Sequence, residues 1–484
     1  MVALLSILLG GYPLIPALLA GQVPGIGHTD LIPAMWSMWA FAQEFPSLGQ
    51  TQLLGYPDGM GWYPQSLHSA MLGLPLQFFF SIQVSYTLCL WVARSLTFGI
   101  FYTAGRAWNM SISGAWLASL AIGLSPILFG YAYEGITEGV HAWPLGLWFW
   151  MLAKRSRIGI GIGFFLAITA SWYLAAASCL ILLFVFRQKH VEYSLLGLLG
   201  AMPLIWLFFK AFPEPQMIDT SIRQAHSISM GFKMPFWLSE SQTVFGQSSY
   251  VSVTLLIMLG IAKRWTSLLL LVPIALGSSL PIISELPVLS AIRFPYRWQI
   301  ATTVLAVMLL RERLKEPVKP WLILVLSSEL IFASPFPPLL PITPIQQETI
   351  FEKIDGPVLN IPNLLSRPPG EYNPSKLRAN ALYSAQFQHH QPIMAVPSFN
   401  GLNHTTDHIP TGMLALDPYH LHDAEITKQE LQGLKEVGLR YILVHRKQWP
   451  SKSSRLLTDQ MAEIGYIPLE ATEAHLLFDL ETGP

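Results

Sequence analysis

The chain is dominated by uncharged apolar runs, and the first of these, Val2 to Ala20, ends before any charged side chain has appeared. Asp30 is the first acid and Arg94 the first base. Runs of the same character recur at Val84 to Ala104, Ser111 to Tyr131, His141 to Ala153, Ile158 to Ser171, Tyr173 to Phe186 and Ser194 to Ala211, then at Val251 to Ala262, Thr266 to Pro281, Ile300 to Leu310 and Trp321 to Phe336. A helix crosses a bilayer with about twenty apolar residues. The longer runs reach that length, and the shorter ones carry flanking charges that fit short helices meeting where protein replaces lipid. Only 12% of the residues are charged, against about 25% in soluble domains, and 52% are hydrophobic with a mean hydropathy of +0.43. These features predict a mainly α, polytopic transmembrane bundle. Val2 to Ala20 has no basic region ahead of it and is expected to be a retained span rather than a cleaved signal. Cys89 and Cys179 both lie in apolar runs, which gives no disulfide framework and no metal motif.

Loop charge sets the expected orientation, because basic residues gather on the cytoplasmic side. With a cytoplasmic N-terminus, alternation places inside Arg106; Lys154, Arg155 and Arg157; Arg187, Lys189 and His190; Lys263 and Arg264; and Arg311, Arg313, Lys315 and Lys319. This requires the chain to turn near Trp172 and Tyr173, and about 11 spans result. Residues 1–336 are then the membrane domain. Pro335, Pro337, Pro338, Pro341 and Pro344 form a stiff linker. The more polar residues 345–484 alternate helix-like and strand-like segments, which predicts a small α/β extracytoplasmic domain. Its segments are an extended Pro357 to Pro362, helices at Pro374 to His390, Ile426 to Val437 and Ser453 to Ile464, and strands at Leu439 to His445, Tyr466 to Leu469 and His475 to Leu480.

Candidate chemistry falls on the outer side. Asp30 precedes a short helix, Leu31 to Gln43, whose Trp36 and Trp39 suit the membrane interface, and an aspartate there can cap the helix. Glu134, Glu138 and His141 are spaced so that a helical continuation would align them on one face. Two acidic loops over a cavity would supply a general base or hold a divalent ion. The alternative is a solvated loop with an interfacial histidine. Arg293 and Arg297 flank Pro295 on an outer loop; planar guanidiniums there suit a phosphate, or equally lipid headgroups. Arg94 lies mid-span, where a charge is costly, and Glu329 in the last span is its expected counter-ion. Tyr56 to Pro64 is expected to be an ordered turn beside Asp30.

The order of motifs resembles the bacterial GT-C-type membrane glycosyltransferases, which use polyprenyl-phosphate sugars. The resemblance rests on GHTD with WSMW, YPDGMGWYP at Tyr56 to Pro64, GAWLASLAIGLSP at Gly114 to Pro126 leading into YEGITEGVHAWPLGLW, RFPYRW at Arg293 to Trp298, FQHHQPI and LKEVGLRYILVH. It implies Asp30 as the first-loop acid, a base or metal contact, and Glu134 or Glu138 as the second-loop acid. It implies Arg293 or Arg297 on the donor phosphate; His141, Tyr56 and Asp58 are further candidates on the substrate side. If a divalent metal ion is used, its ligands come from Asp30, Glu134 and Glu138. The first-loop acid stands alone and the second loop offers two glutamates, so the ligand set stays open. The implied activity moves a sugar from a polyprenyl-phosphate donor to a lipid, glycan or protein acceptor at the outer face of an inner or plasma membrane, with no nucleic acid involved. The other reading is a non-catalytic protein of the same fold that binds lipid-linked glycan or organises an envelope assembly.

Overall fold

The computed structural model describes residues 1–27, 29–184, 188–211, 252–262, 299–333, 338–345, 347–361, 374–394, 426–448 and 451–483. The expected span at Thr266 to Pro281 and the arginines 293 and 297 lie outside these residues. The chain divides into two compact units. The first comprises Met1–Ile26, Gln65–Trp206 and Met217–Thr343, and the second Gly27–Pro64, Leu207–Gln216 and Pro344–Pro484.

In chain order, the first unit begins with α1 (Val2–Gly11) and α2 (Ile15–Ala20), and the second with α3 (Leu31–Glu44), β2 (Gly49–Thr51) and β3 (Met60–Trp62). The strand between α2 and α3 is β1 (Val23–Pro24), which pairs antiparallel with β4 (Ile342–Thr343) of its own unit. The first unit continues through α4 (Leu67–Gln77), α5 (Ile82–Ala107), α6 (Ile112–Gly123), α7 (Pro126–Glu134), α8 (Thr137–Val140), α9 (Trp143–Lys154), α10 (Arg157–Ala170) and α11 (Trp172–Phe184). Most of α12 (Gln188–Ala211), with α13 (Val253–Ile261), α14 (Gln299–Leu309), α15 (Arg311–Leu314) and α16 (Pro320–Ala333), completes its described helices.

Among the described residues, four stretches are long and apolar enough to cross a membrane: Val2–Ala20, Ile82–Ala107, Ile112–Glu134 and Lys189–Ala211. Shorter apolar helices at Arg157–Ala170, Ile300–Leu309 and Pro320–Phe332 add to a mainly helical membrane protein. α5 is the centre of the first unit, packed by α1, α4, α6 and α9. α1 approaches so closely that a Cβ on Gly10 would meet the Ser95 backbone nitrogen at 2.6 Å. Serines start many of these helices: Ser81, Ser111 and Ser156 each accept a hydrogen bond from the amide three residues on, satisfying donors that the first turn leaves open. Between α10 and α11 the chain breaks at Ser171, in extended conformation, where the loop-charge argument places the turn.

The mid-span charges are not paired as expected. Arg94 Nε donates to the Gly10 carbonyl at 3.2 Å, and its guanidinium lies 5.1 Å from the centre of the Phe129 ring. Glu329 instead meets the start of α13, accepting from Ser252 Oγ and the Thr254 amide, both at 3.0 Å. A carboxylate on the orphan amides of a helix start relieves the same cost of burial as an arginine partner.

In the second unit, a four-stranded sheet has the order β5 (Val358–Ile361), β6 (Tyr441–His445), β8 (His475–Asp479), β7 (Glu470–Ala471). β5 is parallel to β6, and the other neighbours are antiparallel. α18 (Lys428–Glu436), started by a Thr427–Glu430 capping box, and α19 (Ser451–Ile464) supply Leu431, Leu434, Leu457 and Met461 to a core shared with Ile442, Val444 and Phe478. The strand expected at Tyr466 to Leu469 does not form there; a two-residue strand follows it at Glu470–Ala471, and Tyr466 packs into the core. A further described helix of this unit, α17 (Pro374–His389), packs on α3.

Candidate functional site

Asp30 stands at the start of α3 in the second unit, half-buried. It occupies the N-cap position, but its side chain makes no capping hydrogen bond, contrary to expectation, while its carbonyl accepts from Ala34 at 2.9 Å. A carboxylate here sits at the positive end of the helix, where negative charge is stabilised. Its position is fixed from α17: Asn380 Nδ2 donates to the carbonyls of Gly27 and Thr29, the latter at 3.3 Å. One and a half turns into α3, Trp36 Nε1 donates to Gln386 Oε1 at 2.8 Å. Gln386 in turn donates to Leu53 and Gln391 carbonyls at 2.7 and 3.0 Å, so a fully buried amide locks the helix in place.

That packing corrects the expected role of the tryptophans. Trp36 and Trp39 are 2% and 3% exposed and meet Tyr383, Phe387 and His390 of the α17 region rather than an interface. α3 is a core helix of its unit, buried from Leu31 through Phe41. Beside it, Trp62 of β3 packs edge-on against Trp36 at 5.9 Å, so the Tyr56 to Pro64 segment is an ordered hairpin arm. Tyr56 packs on the sheet core, where Gly438 has φ +85° and a Cβ would meet Tyr56 Oη at 2.5 Å. Asp58, at the tip, is exposed.

Glu134, Glu138 and His141 lie in the first unit, but not on one helix face. Gly135, at φ 76°, ends α7 in the left-handed region that other residues avoid, and α8 begins again at Thr137. Gly139 seats this second turn on the Tyr131 ring, which a Cβ would strike at 2.3 Å. Glu134 is 4% exposed and Glu138 is half-buried. His141 is fully buried with both ring nitrogens engaged: Nε2 lies 2.7 Å from Ser69 Oγ, and Nδ1 accepts from Trp143 Nε1 at 3.2 Å. The strand segment that leads towards Asp30 is held at the same corner, since the Ile26 amide donates to the Tyr133 carbonyl at 3.0 Å. Gly25, at φ +115°, allows that approach, because a Cβ would meet the Tyr133 oxygen at 2.7 Å.

Among the described residues, no group of three His, Cys, Asp or Glu side chains comes together as a metal ion requires. A polar network in the second unit joins residues that no sequence motif connects. His475 Nδ1 lies 2.7 Å from Glu348 Oε2, His475 Nε2 lies 3.2 Å from His445 Nδ1, and His445 Nε2 lies 2.8 Å from Asn360 Oδ1. The only sequence signal for it was a histidine at the edge of each of two apolar strands, YILVH and HLLFD.

No protein-family model matches the chain, and no curated protein matches it. Solved structures do. Arabinofuranosyltransferase AftD from Mycobacteria superposes with a TM-score of 0.50 at 13% identity, covering 99% of this chain and 39% of AftD, and a mutant of that enzyme superposes at 0.51 and 14%, covering 99% and 41%. The oligosaccharyltransferase of Archaeoglobus fulgidus, in complex with Zn and sulfate, gives 0.46 at 11% identity, covering 99% of this chain and 73% of that one. The fold is thus that of the GT-C-type membrane glycosyltransferases. This chain spans about two fifths of the length of AftD.

Proposed function

We propose that the protein is a membrane glycosyltransferase that moves a sugar from a polyprenyl-phosphate carrier to an acceptor hydroxyl at the outer membrane face. The observation that carries this reading is the fold itself, shared with an arabinofuranosyltransferase over 99% of this chain. In the reaction, the Asp30 carboxylate takes the proton of the acceptor hydroxyl as its oxygen bonds to the anomeric carbon. The bond from that carbon to the carrier phosphate breaks, and the phosphate leaves with the electron pair. Stabilising that developing charge is commonly the largest electrostatic contribution to such a reaction, and we assign it to Arg293 and Arg297. Glu134 and Glu138 orient the acceptor from the second loop, with Asp58 as a further polar contact. His141 and Tyr56, already committed to packing and hydrogen bonds, position these loops.

The test is turnover of a radiolabelled polyprenyl-phosphate sugar by the protein in lipid nanodiscs. Asp30→Asn is expected to abolish transfer while donor binding persists, a loss of at least about a hundredfold for a removed general base. Full transfer by this variant overturns the mechanism.

A further inference from the structure

The second unit carries an open groove of about 490 Å³ lined by Gln347, Glu348, Lys447, Thr472, Glu473 and Ala474. Its lining mixes a carboxamide, two carboxylates, an ammonium and a hydroxyl, and its one apolar side chain is a methyl group. A lipid tail would meet charged and amide groups here, and two glutamates against one lysine oppose an anion. Sugar hydroxyls both donate and accept, so a mixed wall of this kind can satisfy them in either sense.

One wall residue is held in place from behind. Glu348 is fixed through its amide, which donates to Gln388 Oε1 at 2.9 Å, and through its carboxylate on His475. Behind His475 the chain runs through His445 to Asn360, which are 2% and 0% exposed. Asn360 Nδ2 is buried without a hydrogen-bond partner, as is His389 Nε2. Each such orphan costs about 1–3 kcal/mol, and in native proteins an unsatisfied buried polar group calls for an explanation. An apolar core would hold these strands together without that cost. The chain instead ends on a carboxylate facing the groove, and a side chain fixed before binding loses little entropy on capturing a ligand.

We infer that this groove is a carbohydrate-binding site, separate from Asp30, that holds a polyhydroxylated chain through Glu348, Lys447, Glu473 and Gln347. Read with the proposed transferase activity, its ligand is the acceptor glycan. The positioning residues are His475 and His445.

Isothermal titration of the full-length protein in nanodiscs with a panel of pentose and hexose oligosaccharides tests it. Wild type is expected to bind at least one with a dissociation constant near about 1 mM or tighter. Lys447→Ala with Glu473→Ala, both exposed changes, is expected to weaken that binding by about tenfold or more, a loss of about 1.4 kcal/mol. His475→Gln is expected to weaken it less and to change its pH profile, which a purely structural histidine would leave alone. Asp30→Asn is expected to bind as wild type does. No binding by wild type, binding indifferent to the double change, or preferential binding of oligolysine overturns the inference. Transfer activity without groove binding removes the groove alone, and groove binding without transfer removes the enzymatic reading alone.

Discussion

Each unit contains a buried histidine network, and the two are built to opposite ends. In the first, His141 accepts from the Trp143 indole at Nδ1, so a neutral ring must carry its proton on Nε2 and donate it to Ser69. The bonds fix one tautomer, every partner is neutral, and Ser69 is held as an acceptor rather than activated as a nucleophile. In the second, each imidazole shares a nitrogen with another titratable or amide group, and the chain reaches a carboxylate at the groove. With Asn360 Oδ1 facing His445, the bonds place donors on His445 Nε2 and His475 Nε2. Turning the amide over reverses both donors while every contact of the chain is kept. A closed network supports structure; an open one can report on, or act on, what occupies its mouth.

Acid gives the largest expected effect. Burial pushes His389 from 6.5 down to about 3 and holds His445 well below 6.5, and it lowers His475 against the opposing pull of Glu348. These are bases whose folded affinity for protons is depressed, so the unfolded chain binds more protons once the pH falls below about 6.5. Stability of the second unit is complete above that value and is lost as the pH falls towards the folded values. Each deeply buried histidine contributes a slope of about 1.4 kcal/mol per pH unit, so His389 and His445 together give about 3. Hydrogen exchange of the β5, β6 and β8 amides between pH 7 and 5 reads this directly. Unchanged protection would show that these rings are already charged in the fold.

Breaking the closed network has a smaller, purely structural cost. Ser69→Ala leaves the His141 Nε2 proton buried without an acceptor, a loss of about 1–3 kcal/mol in thermal stability. Replacing both partners, Ser69→Ala with His141→Phe, removes the polar pair and is expected to recover part of that loss. Donor binding should survive both changes. If the double change keeps stability but abolishes binding, His141 belongs to the substrate site after all.

What the sequence showed and what it hid follow the same local-versus-distant division. Helices such as Ile82–Ala107 and strands such as Tyr441–His445 were legible because apolar spacing and serine caps are local signals. The role of α3 was not: Trp36 and Trp39 suit an interface on chemistry alone, and only a partner 350 residues away, Gln386, makes them core. The helix expected to align Glu134, Glu138 and His141 stops at Gly135, whose left-handed backbone ends α7 between the two glutamates. The His445–His475 contact depends on strand register, in which the two residues are paired across thirty positions of chain, and register is not written in either strand by itself. Asp30 was legible as the first charge of the sequence, yet its lack of a capping hydrogen bond was visible only in the fold.

The smallest expected effect is the most specific to the open network. Glu348→Gln keeps an acceptor for His475 Nδ1 and keeps the shape of the groove wall, so the fold should change by less than about 1 kcal/mol, the usual worth of a partly exposed pair. The charge is gone, however, and Glu348 is the group that raises the His475 affinity for protons against burial and Lys447. His475 should therefore titrate at lower pH in the variant than in wild type, while no shift is expected at His141, whose partners are untouched. Histidine ring resonances followed by NMR across pH 4 to 8, an interval bracketing the ordinary value of about 6.5, measure both in one sample. An unmoved His475 would mean that the carboxylate and the imidazole are neighbours without electrostatic coupling, and the second network would then be as closed as the first.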